Sequence, residues 1–352
     1  MKKNVAKKEK IILIFLLIFL LFKKVSIKVM YYISKNFGDN LNYFLLKDMV
    51  DGEINFYELN TRNLNNENID DNKTILKLNR LGKINFLFIG SILNTICNWL
   101  YFLKNPGNLN KSIISKWYFK IYDYIYPLII FGSGFISSQK YKNETYMRNL
   151  KIISVRGNET LQRLVNNGIK ISKNVILADP GILAPFLINI TNFKDIDINK
   201  KYSLCVIPHE IDRSSSLIYN KIKIKNFALL NIRDNPIKFL SSIVKCKRVL
   251  SSGLHALIIS DSLGIPNMRI VISNKITGGD YKFKDYYSAY NLKLPSKIDL
   301  RKSTFTLKEF KYIYSNHRIS LDMIRQKQCQ LLFNFPYPLK EKYNDIKNKI
   351  CK

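Results

Sequence analysis

Short apolar runs alternate with polar or glycine-bearing turns and amphipathic stretches along most of the chain. Residues 28–33 predict a first strand, and the turn Ser34-Lys35-Asn36-Phe37-Gly38-Asp39-Asn40 leads into a helix over 41–49. Further strand-like runs fall at 54–59, 85–89, 128–131, 152–155 and 175–178. They end at Gly90-Ser91, Gly132-Ser133-Gly134, Arg156-Gly157 and Asp179-Pro180-Gly181 wherever a turn follows directly. Asn158 is placed to cap a helix through 161–166 that Gly168 stops. Residues 99–126 are aromatic-rich and show no legible period.

After a polar stretch at 191–201 the alternation resumes. Strands are predicted at 203–207 and 227–232, ending at Pro208-His209-Glu210 and Arg233-Asp234-Asn235, with Pro236 as the first residue of a helix to about 245. Residues 248–266 read as a buried strand, the turn Ser251-Ser252-Gly253, and a helix with His255 in its first turn, stopped by Gly264 and Pro266. A strand at 267–272, a short aromatic helix at 283–290 and helical periodicity from 306 onward complete the pattern. Strands alternating with helices predict parallel sheets covered on both faces. The expected fold class is α/β and GT-B-like: two Rossmann-type lobes whose sheets face one cleft, with C-terminal helices packing back. The expected divisions are a basic and hydrophobic segment at 1–24, an N-terminal lobe at 25–190, a linker at 191–201, a C-terminal lobe at 202–300 and helices at 301–352.

Composition changes this picture little. The net charge of +31 comes from 45 Lys and 12 Arg interleaved with Asn and Ile rather than gathered in one patch. No nucleic-acid motif accompanies them, so nucleic acid is not an expected partner, although a basic surface attracts anionic substrates and lipids. The five cysteines are odd in number and widely spaced, which predicts neither a disulfide framework nor a zinc site and favours a reducing compartment. Residues 11–22 are twelve apolar residues flanked by lysines. A helix of that length spans roughly 18 Å, short of the roughly 30 Å hydrocarbon core, so the segment is expected to dip into an anionic membrane surface. The expected location is the cytoplasmic face of a membrane, peripheral or anchored. Sequons at Asn72, Asn143, Asn158 and Asn189 leave a secretory-pathway membrane as the alternative.

Ligands of open α/β sheets collect at strand C-termini. The polar residues predicted there are Asn36, Gly38, Asp39, Asn40, Ser133, Arg156, Asp179, His209, Glu210, Arg233, Ser251, Ser252 and His255. Two of the three histidines are among them, and His317 falls in a C-terminal helix. The loop 251–253 before a helix can offer hydroxyls and backbone N–H groups to a phosphate or carboxylate, or can serve only as a tight turn. Asp195-Ile196-Asp197 has the form of a metal-binding pair but does not lie at a strand end, and no metal site is expected. A Gly-x-Ser-x-Gly elbow and a Walker motif are both absent from the sequence.

Seven pieces taken together resemble the polysaccharide pyruvyl transferase family. They are 36–42, Phe131-Gly132-Ser133-Gly134, Ser154-Val155-Arg156-Gly157, Ala178-Asp179-Pro180-Gly181, Val206-Ile207-Pro208-His209, 251–266 and Lys282-Phe283-Lys284-Asp285-Tyr286-Tyr287. The resemblance implies transfer of pyruvate from phosphoenolpyruvate, with no further cofactor, to a sugar hydroxyl pair as a ketal. The acceptor would be a cell-surface polysaccharide or its lipid-linked precursor. His255 would then serve as general acid or phosphate contact, and Arg156 as an anion clamp. Asp39 or His209 would orient or deprotonate the acceptor hydroxyl, and Asn36, Gly38, Asn40, Ser133, Asp179, Arg233, Ser251 and Ser252 would line the substrate. One departure stands out: some family members carry Arg where this chain has Gly253.

Two other readings fit the pattern. One is a GT-B nucleotide-sugar glycosyltransferase, for which Asp261 is the available acidic residue to read a ribose. The other is a non-catalytic basic protein that binds membrane or anionic polymer.

Overall fold

The structure, a computed structural model, describes residues 27–32, 36–59, 85–89, 93, 127–138, 149–192, 200–316 and 319–352. The expectations for 1–24, the turn residues 33–35, 90 and 91, the insertion at 99–126, Asp195-Ile196-Asp197, most of the linker, His317 and the sequons at Asn72 and Asn143 lie outside the described residues.

The N-terminal sheet contains β1 (Ile27–Tyr32), β2 (Ile54–Leu59), β3 (Phe86–Leu87), β4 (Leu128–Phe131), β5 (Leu150–Val155) and β6 (Ile176–Leu177) in the order β2-β1-β3-β4-β5-β6. The C-terminal sheet contains β7 (Cys205–Ile207), β8 (Ala228–Leu229), β9 (Val249–Ser251), β10 (Asn267–Val271) and β11 (Lys297–Asp299) in the order β11-β10-β9-β7-β8. All pairings in both sheets are parallel. The alternation of apolar runs and turns thus yields the expected α/β architecture of two parallel sheets. In each sheet the strand order reverses once, between β1 and β3 and between β7 and β9. Crevices open beyond the carboxyl ends of the strands at such reversals.

The helices that matter for the site start at those ends. Helix α1 (Phe37–Met49) follows β1 and begins four residues earlier than its apolar spacing predicts, because Asn36 caps it by accepting the Gly38 N–H at 3.0 Å. Helix α2 (Asn158–Asn166) follows β5, and Asn158 is its first residue rather than its cap. Helices α3 (Leu217–Lys221) and α4 (Pro236–Ile243) precede β9, and Asn235 caps α4 with Pro236 at its first position. Helix α5 (Leu254–Ser262) leaves β9, and α6 (Tyr281–Ser288) lies between β10 and β11.

The lobes share one core. Phe37 of α1 stacks on Phe239 of α4 with ring centroids 4.1 Å apart, and the Phe37 N–H donates to Ile232 O at 2.8 Å. Helices α7 (Leu307–Asn316), α8 (Leu321–Phe333) and α9 (Glu341–Ile350) close the chain. Here α8 and α9 return to the N-terminal lobe. Gln328 Nε2 donates to Ile182 O at 2.8 Å, and Tyr343 Oη donates to Asp48 Oδ2 at 2.8 Å. Phe335 places its ring edge-on against Phe86, Phe88 and Phe131.

The cysteine reading is corrected. Cys205–Cys246 and Cys329–Cys351 form disulfides with Cα separations of 5.8 and 5.5 Å. These pairs close loops of 41 and 22 residues, and their proximity is created by the β7–β9 pairing and the α8–α9 hairpin. Spacing along the chain carries no trace of either contact. A reducing compartment is therefore not what this cysteine set indicates.

Candidate active site

The first turn of α1 and the first turn of α5, from opposite lobes, meet face to face. A Cβ added to Gly38 would lie 1.9 Å from His255 Nδ1, so only glycine leaves room for the imidazole. His255 reaches that seat because its loop is braced from below. Ser251 Oγ accepts the Gly253 N–H at 2.9 Å and donates to Ile207 O at 2.6 Å. Ser252 Oγ accepts the His209 N–H at 2.9 Å and donates to Asp212 Oδ2 at 2.8 Å. Both hydroxyls are spent on the protein, which corrects the expectation that they would face a phosphate.

Other expected contacts are also internal. Ser133 is buried and donates to Phe88 O at 2.5 Å, and Asp179 caps a 3-10 helix by accepting the Gly181 N–H at 2.9 Å. Arg156 is 1% exposed, with Nε on Asp285 Oδ2 at 2.9 Å and Nη2 on Phe135 O. It is therefore built into the joint between α2 and α6 and acts as a fixed positive charge behind the cleft, not as an exposed bidentate clamp. Arg233 sits at the rim with Nε and Nη2 on Glu210. Asn36 is the α1 cap described above, whereas Asp39 and Asn40 are partly exposed on the first turn of α1.

Lys282, in the first turn of α6, completes the cluster although strand-end reasoning overlooked it. The signal was present in the 282–287 piece of the resemblance, but a lysine on a helix draws no attention among 45. It is only 9% exposed and has no hydrogen-bond or ion-pair partner among the described residues. Burial first, then the charge of Arg156, lowers its pKa to about 8, with Asp39 pulling the other way. Burial, followed by the charges of Lys282 and Arg156, lowers His255 to about 3. Burial and Lys282 lower His209 to about 4 against the opposing pull of Asp212 and Glu210. His209 Nδ1 accepts the Ile211 N–H at 3.3 Å, which leaves its ring proton on Nε2. Asp179 is raised to about 6 by burial, with Arg156 opposing.

Two neutral imidazoles, a buried ammonium and a guanidinium thus gather where the carboxyl ends of the two sheets face each other. Such a set is built to receive an anion, whose charge would offset the burial and the neighbouring cations that together keep the rings neutral. Asp261 does not fit a ribose-reading role, since it is 1% exposed and its carboxylate accepts from Asn267 Nδ2 at 2.6 Å and Tyr286 Oη at 3.0 Å. Among the described residues no group of three or more His, Cys, Asp or Glu side chains is arranged to hold a metal ion.

Comparison with known proteins places the chain beside a family and several relatives. A family model described as polysaccharide pyruvyl transferase matches residues 36–274, from the α1 cap to just beyond β10. An uncharacterised protein of Acanthamoeba polyphaga mimivirus is 24% identical over 303 residues, which cover 84% of this chain and 86% of that protein. Among solved structures, the UDP-GlcNAc 2-epimerase of Methanocaldococcus jannaschii aligns with a TM-score of 0.41 at 9% identity, covering 92% of this chain and 97% of that one.

Proposed function

Because the chain belongs to the polysaccharide pyruvyl transferase family, we propose that its cleft takes phosphoenolpyruvate as donor and forms a pyruvate ketal on a saccharide hydroxyl pair. The observation that carries this reading is the convergence of Gly38, His255 and Lys282, a buried ammonium with no anionic partner among the described residues, from both lobes on one anion-seeking point.

The chemistry requires a proton for the enol carbon, a group that activates the acceptor hydroxyl, and cations for phosphate and carboxylate. Lys282 serves the donor anion directly, with Arg156 fixed behind it. His255, held to a pKa of about 3 by burial and the neighbouring cations, is neutral on its own and cannot give a proton. A donor charge seated about 4 Å away at an effective dielectric near 20 is worth on the order of 4 kcal/mol, or about 3 pK units. A multiply charged donor therefore raises the His255 pKa from about 3 toward the working pH, and the ring becomes the general acid with the donor in place. Its proton goes to the enol methylene, making C2 electrophilic. One acceptor hydroxyl adds to C2, a second forms the other C–O bond as the C–O bond to phosphate breaks, and both hydroxyl protons leave to base or phosphate. Asp39 is the base closest in character to that task. His209, with its proton on Nε2, suits orientation of the acceptor better than deprotonation.

Incubation with phosphoenolpyruvate and a panel of free and lipid-linked saccharides is expected to release inorganic phosphate and add a pyruvate ketal to one acceptor. Release of nucleotide from nucleotide sugars, with none of phosphate from phosphoenolpyruvate, would overturn the reading.

A further inference from the structure

The loops that follow β7, β9 and β10 converge on one buried carboxylate that the reaction scheme does not use. Asp212 is 2% exposed. Its Oδ2 accepts the Ser252 hydroxyl at 2.8 Å and its Oδ1 accepts the Ser273 hydroxyl at 2.5 Å. Ser252 Oγ in turn accepts the His209 N–H at 2.9 Å, and the Asp212 N–H donates to His209 O at 2.8 Å. The circuit thus grips His209 through both its N–H and its carbonyl. Ser273 extends it into the third loop by accepting the Lys275 N–H at 3.1 Å. Inside the sheet, strand ladders hold these three chains together, but beyond the strand ends no ladder remains. A buried carboxylate is costly unless its oxygens are hydrogen-bonded, and here hydroxyls from two different loops donate one to each oxygen.

We propose that Asp212 is a positioning residue of the cleft: it ties three strand-end loops into one rim and thereby sets the His209 ring against the donor loop 251–255. The distance from His209 Cδ2 to the position of a Cβ on Gly253 is 3.8 Å, so a small drift of either loop changes what the cleft can hold. The consequence for turnover rests on the pyruvyl-transfer reading, whereas the way His209 is held does not.

The test uses the full chain with 15N- and 13C-labelled histidine, comparing wild type with Asp212→Asn and Ser252→Ala. Asp212→Asn keeps the shape but turns one acceptor into a donor, and Ser252→Ala removes the hydroxyl that links the His209 N–H to Asp212 Oδ2 while leaving the carboxylate and Ser273 in place. Nuclear magnetic resonance near neutral pH is expected to show a single Nε2–H tautomer for His209 in wild type, assigned by its loss in His209→Gln. Both variants are expected to show a shifted signal with mixed tautomers. Turnover is expected to fall on the order of 10²-fold with donor KM little changed, the signature of misplacement rather than lost donor binding. A His209 signal and tautomer identical to wild type in both variants would overturn the proposal. If Asp212→Asn fails to fold, an unchanged His209 signal in Ser252→Ala overturns it alone. Wild-type protein that releases no phosphate from phosphoenolpyruvate removes the functional reading, and the histidine spectra still decide the positioning.

Discussion

Gly38 and Gly253 sit in the two loops that meet at the cleft, and a methyl group would strike very different surroundings at each. At Gly38 it would overlap His255 Nδ1 at 1.9 Å, while at Gly253 it would meet Ser251 Oγ at 3.7 Å and His209 at 3.8 Å, ordinary contact distances. Gly38→Ala is therefore expected to displace the imidazole and lower turnover on the order of 10²-fold with the melting temperature little changed. Gly253→Ala is expected to fold with a loss of about 1 kcal/mol at most, from the weaker N-cap residue, and to keep donor binding. Steady-state kinetics beside thermal unfolding separates the two. At this scale the strand-end placement of Gly38, Asp39, His209 and His255 was legible, because strand ends in parallel sheets follow from apolar runs and turns. What could not be read was how each polar side chain is spent. Ser133, Ser251, Ser252 and Arg156 find partners 45, 44, 40 and 129 residues away, contacts that exist only once both sheets are assembled.

Among the elements, α6 decides how the lobes are joined. Helix α2 has Gly157 at its cap and no side-chain cap of its own. Asp285 of α6 supplies one from the other lobe, accepting the Thr160 N–H at 2.8 Å and the Thr160 hydroxyl at 2.7 Å while pairing with Arg156. Ser288 Oγ accepts the Asn158 N–H at 2.7 Å. Removing one partner of a buried ion pair leaves a bare charge and costs about 3–5 kcal/mol. Asp285→Ala and Arg156→Ala are each expected to lose about that much in denaturant unfolding, and the double variant to lose clearly less than the sum. Additive losses would mean the two side chains act independently. The helix was visible in sequence at 283–290, but its role as a cap in trans was not. Strand β11 also went unseen, since one exposed and two partly exposed edge residues carry no apolar run. The 3-10 helix Pro180–Ile188 was hidden by a continuous apolar stretch with an internal proline.

For the whole molecule, the electrostatic design of the cleft sets the pH response. An unfolded chain protonates its histidines near 6.5, whereas His209 and His255 resist to about 4 and about 3. Between those values the unfolded chain binds more protons, so stability falls as pH falls. Asp179 opposes this, because the folded chain holds its proton from about 6 down to 3.8. Near pH 5 the balance is about one proton, a loss of about 1.4 kcal/mol per pH unit, which denaturant midpoints across about pH 5–7 check. An anionic donor offsets the same depression of the histidines, which burial causes first and Lys282 second. Calorimetric titration of phosphoenolpyruvate at about pH 8, where a phosphate monoester is fully ionised, in two buffers of different ionisation enthalpy, counts the protons that accompany binding. The expected result is saturable binding with net proton uptake, reduced in His255→Gln and in Lys282→Met. Absence of binding, or proton uptake left unchanged in His255→Gln, would contradict a cleft whose histidine is charged by its donor, since Lys282 with a pKa of about 8 takes up a proton of its own.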